Sequence, residues 1–139
     1  MEKGKPPRNW DQWAERRLNR IMKVIQTFDD LRKKGPKAPW WVTVKIVGEK
    51  VMISLNATYR GKKAPTDILS FPSEYPFRDS GLLGELVVCL PVLKEQAKSL
   101  GHTPRAELDV LLTHGVLHLL GFDHEKGARQ AAVMAKWES

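Results

Sequence analysis

The sequence predicts one small domain in which several helices accompany a few short strands, and three observations point to it. Apolar residues recur at helical spacing through residues 9–33, β-rich runs stand at residues 41–47, 67–71 and 85–89, and a capped apolar segment runs from Thr103 to Leu120. A chain of 139 residues is about one domain and can bury roughly two-thirds of its unfolded surface. Hydrophobic content of 42%, charged content of 28% and five Trp place it among globular chains rather than disordered ones.

Asn9 followed three residues later by Gln12 resembles a capping box, and Trp10, Trp13, Ala14, Ile21, Ile25, Phe28 and Leu31 follow at roughly helical spacing as far as Gly35-Pro36. Residues 9–33 therefore read as one amphipathic helix, with Arg16, Arg17, Arg20 and Lys23 mostly off its apolar stripe. Trp41 to Val47 alternates and is β-rich, so it reads as a strand. Val51 to Tyr59 fits either state: Val51-Met-Ile53 looks β-like, while Ser54 to Tyr59 suits a short helix. Asp67 to Phe71, stopped by Pro72, and Glu85 to Cys89, stopped by Pro91, read as two further strands around a loop rich in Pro, Ser, Asp and Gly. A helix is expected over Pro91–Leu100, ended by Gly101. Thr103 as N-cap and Pro104 at the first helical position open the next helix, which is apolar on nearly all sides past Val110 and should be the buried one. A last helix covers about residues 126–137, and no internal repeat is visible.

The longest apolar stretch, Leu86–Leu93, has eight residues and contains Pro91, too short for a membrane span. The beginning Met-Glu-Lys-Gly-Lys-Pro-Pro lacks the apolar run of a secretory signal. Cys89 is the single cysteine and lies in an apolar run, so a reducing cytoplasm is the expected compartment. Charge is unevenly placed. Residues 1–40 hold eleven Lys/Arg against five Asp/Glu, whereas residues 41–139 hold twelve against eleven. A concentrated basic segment suits a polyanionic partner, nucleic acid first, because phosphates reward clustered cations through counterion release. A solvated helix face would carry the same charges.

Three of the four histidines fall within eleven residues: His114-Gly-Val-Leu-His118-Leu-Leu-Gly-Phe-Asp-His124. Four residues apart on a helix, His114 and His118 are offset by about 40° around the axis and about 6 Å along it, so both imidazoles can meet one ion. Gly121 can end the helix in a left-handed conformation and return the chain so that His124 comes to the same point. Three imidazoles with an open fourth position are a catalytic metal's ligand set. Metalloproteases share this spacing, but there the residue after the first His is a Glu that serves as base. Here it is Gly115, which has no group to take a proton. His102 is expected near the start of the helix rather than as a fourth ligand.

The run His114–His124, with Asn56-x-x-Tyr59-Arg60-x-Lys62-x-x-Pro65-Thr66-Asp67-Ile-Leu-Ser-Phe-Pro72 and Leu83-Gly-Glu-Leu-Val87 upstream, resembles the YbeY endoribonucleases over residues 42–138. The resemblance implies an α+β fold, a small mixed β-sheet packed with helices, in which residues 49–59 are helical and the three-histidine metal site lies on a buried helix and the turn after it. It also implies a zinc-dependent, single-strand-specific RNA hydrolase with one Zn2+ per chain, which matures ribosomal RNA at the 3′ end of the small-subunit RNA and takes part in ribosome quality control. Small-subunit ribosomal proteins and a ribosome-associated GTPase are the partners it suggests, with no membrane. Glu85 stands where the family more often has Asp.

On this basis residues 1–139 are expected to form a single metal-dependent hydrolase domain, with the basic N-terminal helix in residues 1–40 part of it. Its metal ligands are His114, His118 and His124, and its catalytic residues are Arg60 and His114. Arg60 matches the family's Tyr-Arg pair, and its planar fork suits phosphate. Lys62 and Lys63 are expected to hold the flanking RNA backbone. Asp123, Glu85 and Asp67 are candidates to orient water or a ligand behind the metal, and no general base stands out. Two other readings share these residues: a metallohydrolase of a peptide or small amide, and a ribosome- or RNA-binding module whose metal is structural.

Overall fold

Asn9 caps the first helix, its Oδ1 accepting from Gln12 N at 3.1 Å, in a computed structural model that describes residues 9–37, 39–74, 77–122 and 126–138. That helix, α1 (Trp10–Ile25), buries Trp10, Ala14, Leu18, Ile21, Met22 and Ile25 along one stripe. The single helix expected over residues 9–33 is instead two. Gln26 Nε2 donates to Met22 O at 3.1 Å and Thr27 Oγ1 to Val24 O at 2.6 Å, so side chains take up the carbonyls at the end of α1. Phe28 is extended (φ −90°, ψ 114°) before the single turn of α2 (Asp29–Arg32). Thr and Asp favour such ends because their short polar side chains compete with the helix backbone.

Strand β1 (Trp41–Val47) and helix α3 (Glu49–Arg60) follow. The ambiguous Val51–Tyr59 is therefore helix, with Met52 and Asn56 buried at i, i+4. Next come β2 (Ile68–Pro72), a 3-10 turn at Phe77–Ser80 inside the expected loop, and β3 (Leu82–Cys89), three residues longer at its start than its sequence suggests. Helices α4 (Leu90–Leu100), α5 (Pro104–Leu119) and α6 (Lys126–Glu138) complete the chain. Thr103 caps α5 as anticipated, Oγ1 accepting from Ala106 N at 3.1 Å.

The fold is α+β, a small mixed sheet with six helices. The strands lie in the order β1-β3-β2, with β3 parallel to β1 and antiparallel to β2. Alternation along β3 sends Leu86 and Val88 into the core shared with α1 and α5, and Val87 and Cys89 into a smaller cluster with Met52 of α3 and Leu69 of β2. The register slips at the start of β3, where Trp41 pairs Leu82 but Val42 pairs Gly84. This bulge needs glycine: Gly84 has φ +155°, and a Cβ there would lie 2.4 Å from Phe71 O and 2.8 Å from Leu119 Cδ2. The outer edge of β1 is engaged by α1, since Asp11 Oδ1 accepts from Ile46 N at 3.0 Å.

Helix α5 is the buried helix its sequence promises, with ten of its sixteen residues buried. It approaches the sheet closely at Gly115, where a Cβ would lie 2.8 Å from Leu86 Cδ2 and 3.0 Å from Ile68 Cδ1. On its other flank Asp109 receives a two-pronged ion pair from α1, Arg17 Nε to Oδ1 at 2.8 Å and Arg17 Nη2 to Oδ2 at 2.6 Å. Arg17 is thus half-buried and committed to holding α1 on α5, which matches neither of the two roles open to it from the sequence, a polyanion contact or a solvated face. Removing one partner of a buried pair strands the other charge. Arg17→Ala should lower unfolding stability by about 3 kcal/mol, read by urea denaturation, and Arg16→Ala, one residue away on the exposed face, should change it by less than about 0.5 kcal/mol.

Candidate active site

Spacing on α5 puts Glu107, Leu111, His114 and His118 on one stripe, at intervals of four, three and four residues. Gly115 next to it faces the sheet, and Asp109 lies around the helix toward α1. His114 and His118 are both half-buried and both engaged with neighbours. The end of the helix is built to reverse the chain: Gly121 has φ +95°, Gly121 N donates to His118 O at 2.9 Å, and Phe122 N donates to Leu117 O at 3.0 Å. These two bonds form a Schellman motif, with Phe122 buried at the position that usually makes its apolar contact. The chain thus leaves α5 in the turn that the sequence requires. Asp123 and His124 lie outside the described residues, and among the described residues no three His, Cys, Asp or Glu gather as a metal group. His114 and His118 are two imidazoles on one stripe of α5, a donor type that suits a borderline metal such as zinc.

Arg60 ends α3, and Lys62 and Lys63 occupy the turn beyond it, all three in solvent. Among the described residues Arg60 has no ion-pair partner, which leaves its fork available to a phosphate. The turn is clamped from beneath by Asn56, whose Nδ2 donates to Ala64 O at 2.8 Å while its own side chain is buried. Asn56 is a positioning residue that sequence reasoning passed over as part of a motif. A polar side chain on the buried stripe of a short helix was the available signal. Tyr59 packs edge-on against Phe71 with ring centres 5.0 Å apart, tying the end of α3 to β2.

The acidic candidates part company. Glu85 opposes Phe71 in the β2–β3 register and, with Lys45, Val47, Tyr59 and Phe71, lines an open groove of about 620 Å³. Its neighbour Leu86 points the other way, toward α5, so Glu85 occupies the sheet face away from the histidine pair. Asp67 sits just before β2, its Oδ1 accepting from Ile68 N at 2.7 Å. Gln96 of α4, with its amide nitrogen turned to the acids, donates to Glu107 Oε2 at 3.1 Å and Asp67 Oδ2 at 3.3 Å. His102 Nε2 lies 3.3 Å from Glu107 Oε1, near the start of α5 as expected. Asp67 therefore belongs to a polar cluster around Glu107, roughly 10 Å along the helix axis from His114.

Burial pushes the Glu107 carboxyl above its ordinary 4.5, His102 opposes the rise, and Asp67 adds to it.

The family model described as Endoribonuclease YbeY matches residues 6–139 of this chain. An Endoribonuclease YbeY of Bdellovibrio bacteriovorus is 44% identical over 121 residues, covering 81% of this chain and 78% of that protein. One of Moorella thermoacetica is 40% identical over 131 residues, covering 88% and 81%. One of Aquifex aeolicus is 42% identical over 89 residues, and there the match takes in 64% of this chain but only 59% of the relative; for one of Persephonella marina the share of the relative is 62%. A solution structure from Thermotoga maritima superposes with a TM-score of 0.57 at 27% identity, covering 88% of this chain and 81% of that one.

The Glu107 cluster has a measurable consequence. Because the folded carboxyl holds its proton to higher pH than the unfolded one, its contribution to stability is full below about pH 4.5 and is lost as pH rises through the folded pKa. Glu107→Gln cannot ionise. Its melting temperature should decline less than that of the parent across this window, and parallel pH profiles for the two proteins would contradict the assignment.

Proposed function

The chain belongs to the YbeY endoribonuclease family, and from that premise we propose that it is a metal-dependent, single-strand-specific endoribonuclease of ribosomal RNA processing. The observation that carries the reading is the half-buried His114/His118 pair on a buried helix that ends in the Gly121 turn, three residues before His124 in the sequence. His114, His118 and His124 would hold one zinc ion, which supplies a water of lowered pKa and polarises a phosphoryl oxygen. Cleavage of a phosphodiester also develops negative charge that a second cation must offset. Arg60 serves that purpose, with Lys62 and Lys63 on the flanking backbone, and the Asn56 clamp fixes the turn that presents the two lysines. Asp123, next to the third ligand in sequence, is the candidate to orient it.

Substrate class follows from the family: RNA, with the 3′ end of the small-subunit ribosomal RNA as the processing point and ribosome quality control as the setting. Small-subunit proteins and a ribosome-associated GTPase would assist. We place the activity in the cytoplasm and in one domain spanning residues 1–139. The absence, among the described residues, of any helix long and apolar enough to cross a membrane accords with that setting. Peptide hydrolysis by a carboxylate base is disfavoured on packing grounds. The position after His114 faces the sheet, where a Cβ would lie 2.8 Å from Leu86 Cδ2 and 3.0 Å from Ile68 Cδ1, so a longer side chain there requires those two side chains to shift.

Two measurements test the reading. Purified protein should carry about one metal per chain and cleave single-stranded RNA in a chelator-sensitive manner, and His118→Ala should lose both metal and cleavage. Full stoichiometric metal in the His114/His118/His124 triple alanine variant would refute the ligand set. Arg60→Ala should retain metal and fold while cleaving on the order of 100-fold more slowly, with Arg60→Lys recovering only part because an ammonium lacks the paired donors. Parental rates in Arg60→Ala would remove the arginine from the mechanism.

A further inference from the structure

Four of the eleven cations in residues 1–40 fall within the six residues that end α2 and form the turn after it: Arg32, Lys33, Lys34 and Lys37. We propose that this turn is a second RNA-binding site, holding the phosphate backbone of the strand that flanks the cleaved bond; the proposal rests on the endoribonuclease reading above. The turn borders a concavity of about 630 Å³ lined by Gln26, Arg32, Lys33 and Lys37 together with Gly35, Pro36 and Pro39. Lys33 and Lys37 are exposed and have no ion-pair partner among the described residues. Arg32 meets Asp29 at 3.1 Å, but with side chains 57% and 81% exposed that pair is weak enough to exchange for a phosphate.

The site is held in shape before any ligand arrives. Trp40 Nε1 donates to Pro36 O at 2.7 Å, and the indole lies so close over Gly35 that a Cβ there would come within 2.2 Å of the ring. Leu31, fully buried, anchors the near end, and Lys34 N donates to Leu31 O at 3.0 Å. Its place in the fold matters as much. Lys34 Nζ lies 5.7 Å from the centre of the Phe122 ring, and Phe122 belongs to the Gly121 turn that leads from His118 to His124. The basic turn and the turn of the histidine site are thus neighbours, and a single strand crossing one continues over the other.

The basic face of α1, the other concentration of charge, is differently placed. Arg17 is held by Asp109, and Arg16 and Arg105 lie 5.8 and 4.2 Å from the Trp13 ring centre. That group sits on the flank of α5 turned away from the His114/His118 stripe. The chemistry of the turn also selects its ligand. It offers several cations in a concave surface, and the large apolar side chains that are exposed among the described residues, Trp41, Val51, Tyr59, Phe77 and Leu100, all lie outside residues 26–37. Such a site takes repeated phosphates without reading bases and without inserting into lipid.

The test uses the full chain, a labelled unstructured RNA and chelator to prevent cleavage. Anisotropy titrations over a salt series compare the parent with Lys33→Gln/Lys37→Gln, with Lys33→Arg/Lys37→Arg, and with Lys94→Gln/Lys98→Gln, which removes the same charge from exposed α4. The glutamine pair in the turn should bind about tenfold more weakly at ~0.1 M salt and lower the log–log salt slope by about 1.4, at about 0.7 per lost phosphate contact. The arginine pair should bind like the parent, and the α4 pair should keep the parental slope. In metal-loaded protein the turn variant should raise KM and leave kcat unchanged. Equal affinity and slope in parent and turn variant, with the parent still cleaving RNA, would overturn this proposal alone. RNA binding that depends on the turn in a parent that never cleaves RNA would overturn the endoribonuclease reading alone. Binding of the turn to anionic phosphatidylserine vesicles or to polyglutamate in preference to RNA would overturn the proposed ligand.

Discussion

The close approach of α5 to the three-stranded sheet is the constraint on which the rest of the molecule depends. Two positions without side chains create it from opposite sides. Gly115 lets the helix sit on Leu86 and Ile68, and Gly84 lets the β3 bulge pass beneath Leu119 against Phe71 O. With both contacts set, the direction of α5 across β3 is fixed, and so is the stripe on which His114 and His118 stand. A methyl group at Gly84 would meet the Phe71 carbonyl oxygen, and one at Gly115 would require the ends of the Leu86 and Ile68 side chains to move. The residue that in a peptidase would be the base is here a glycine packed on the sheet, so architecture and chemistry compete for one position and architecture has it.

Electrostatics is arranged around the same helix. Apart from Thr113, the buried polar residues of α5 are two acids facing different neighbours: Asp109 is met by the fork of Arg17 from α1, and Glu107 by Gln96 of α4 with His102 beside it. The first pair fixes how the basic N-terminal helix docks, and the second joins the start of α5 to α4 and to the beginning of β2. Beyond these two attachments, from Val110 onward, the helix is apolar apart from Thr113 and the two histidines. Its histidines are therefore the polar groups that break an otherwise hydrocarbon surface near the C-terminal end, where neutral imidazoles lose little on burial and a cation is favoured by the helix dipole.

Local chemistry was readable wherever it was written in adjacent residues. Thr103-Pro104 and Gly121 bound α5 correctly, Asn9 and Gln12 mark the start of α1, and period-two alternation finds β1. The break after Ile25 escaped because the apolar period runs through it, as Phe28 and Leu31 keep the same face while Thr27 ends the backbone ladder. Val51–Tyr59 stayed undecided because its β-branched start and polar end point to different periods, and packing of Met52 against the sheet resolves it. Residues far apart were not legible at all. Nothing near Arg17 announces Asp109, ninety-two positions later, and nothing near Glu85 says which sheet face it takes until the Gly84 bulge sets the phase of β3. Within the histidine run, the helix and its reversal were legible, because four-residue spacing and a left-handed glycine are both local.

The order of strands carries a consequence for how the molecule assembles. The central strand, β3, is the last of the three in the chain, and both edge strands pair with it and not with each other. No rung of the sheet can form until the ribosome has delivered Leu82–Cys89, and the parallel β1–β3 pairing must then close a loop of about forty residues, an entropic toll that grows only with the logarithm of its length. The hairpin of β2 and β3 is the shorter closure and the natural first event. Until α5 emerges behind them, α1 alone covers the apolar face of this half-built sheet, so the helix that bears the histidines completes the cover under which the newborn chain stops being sticky.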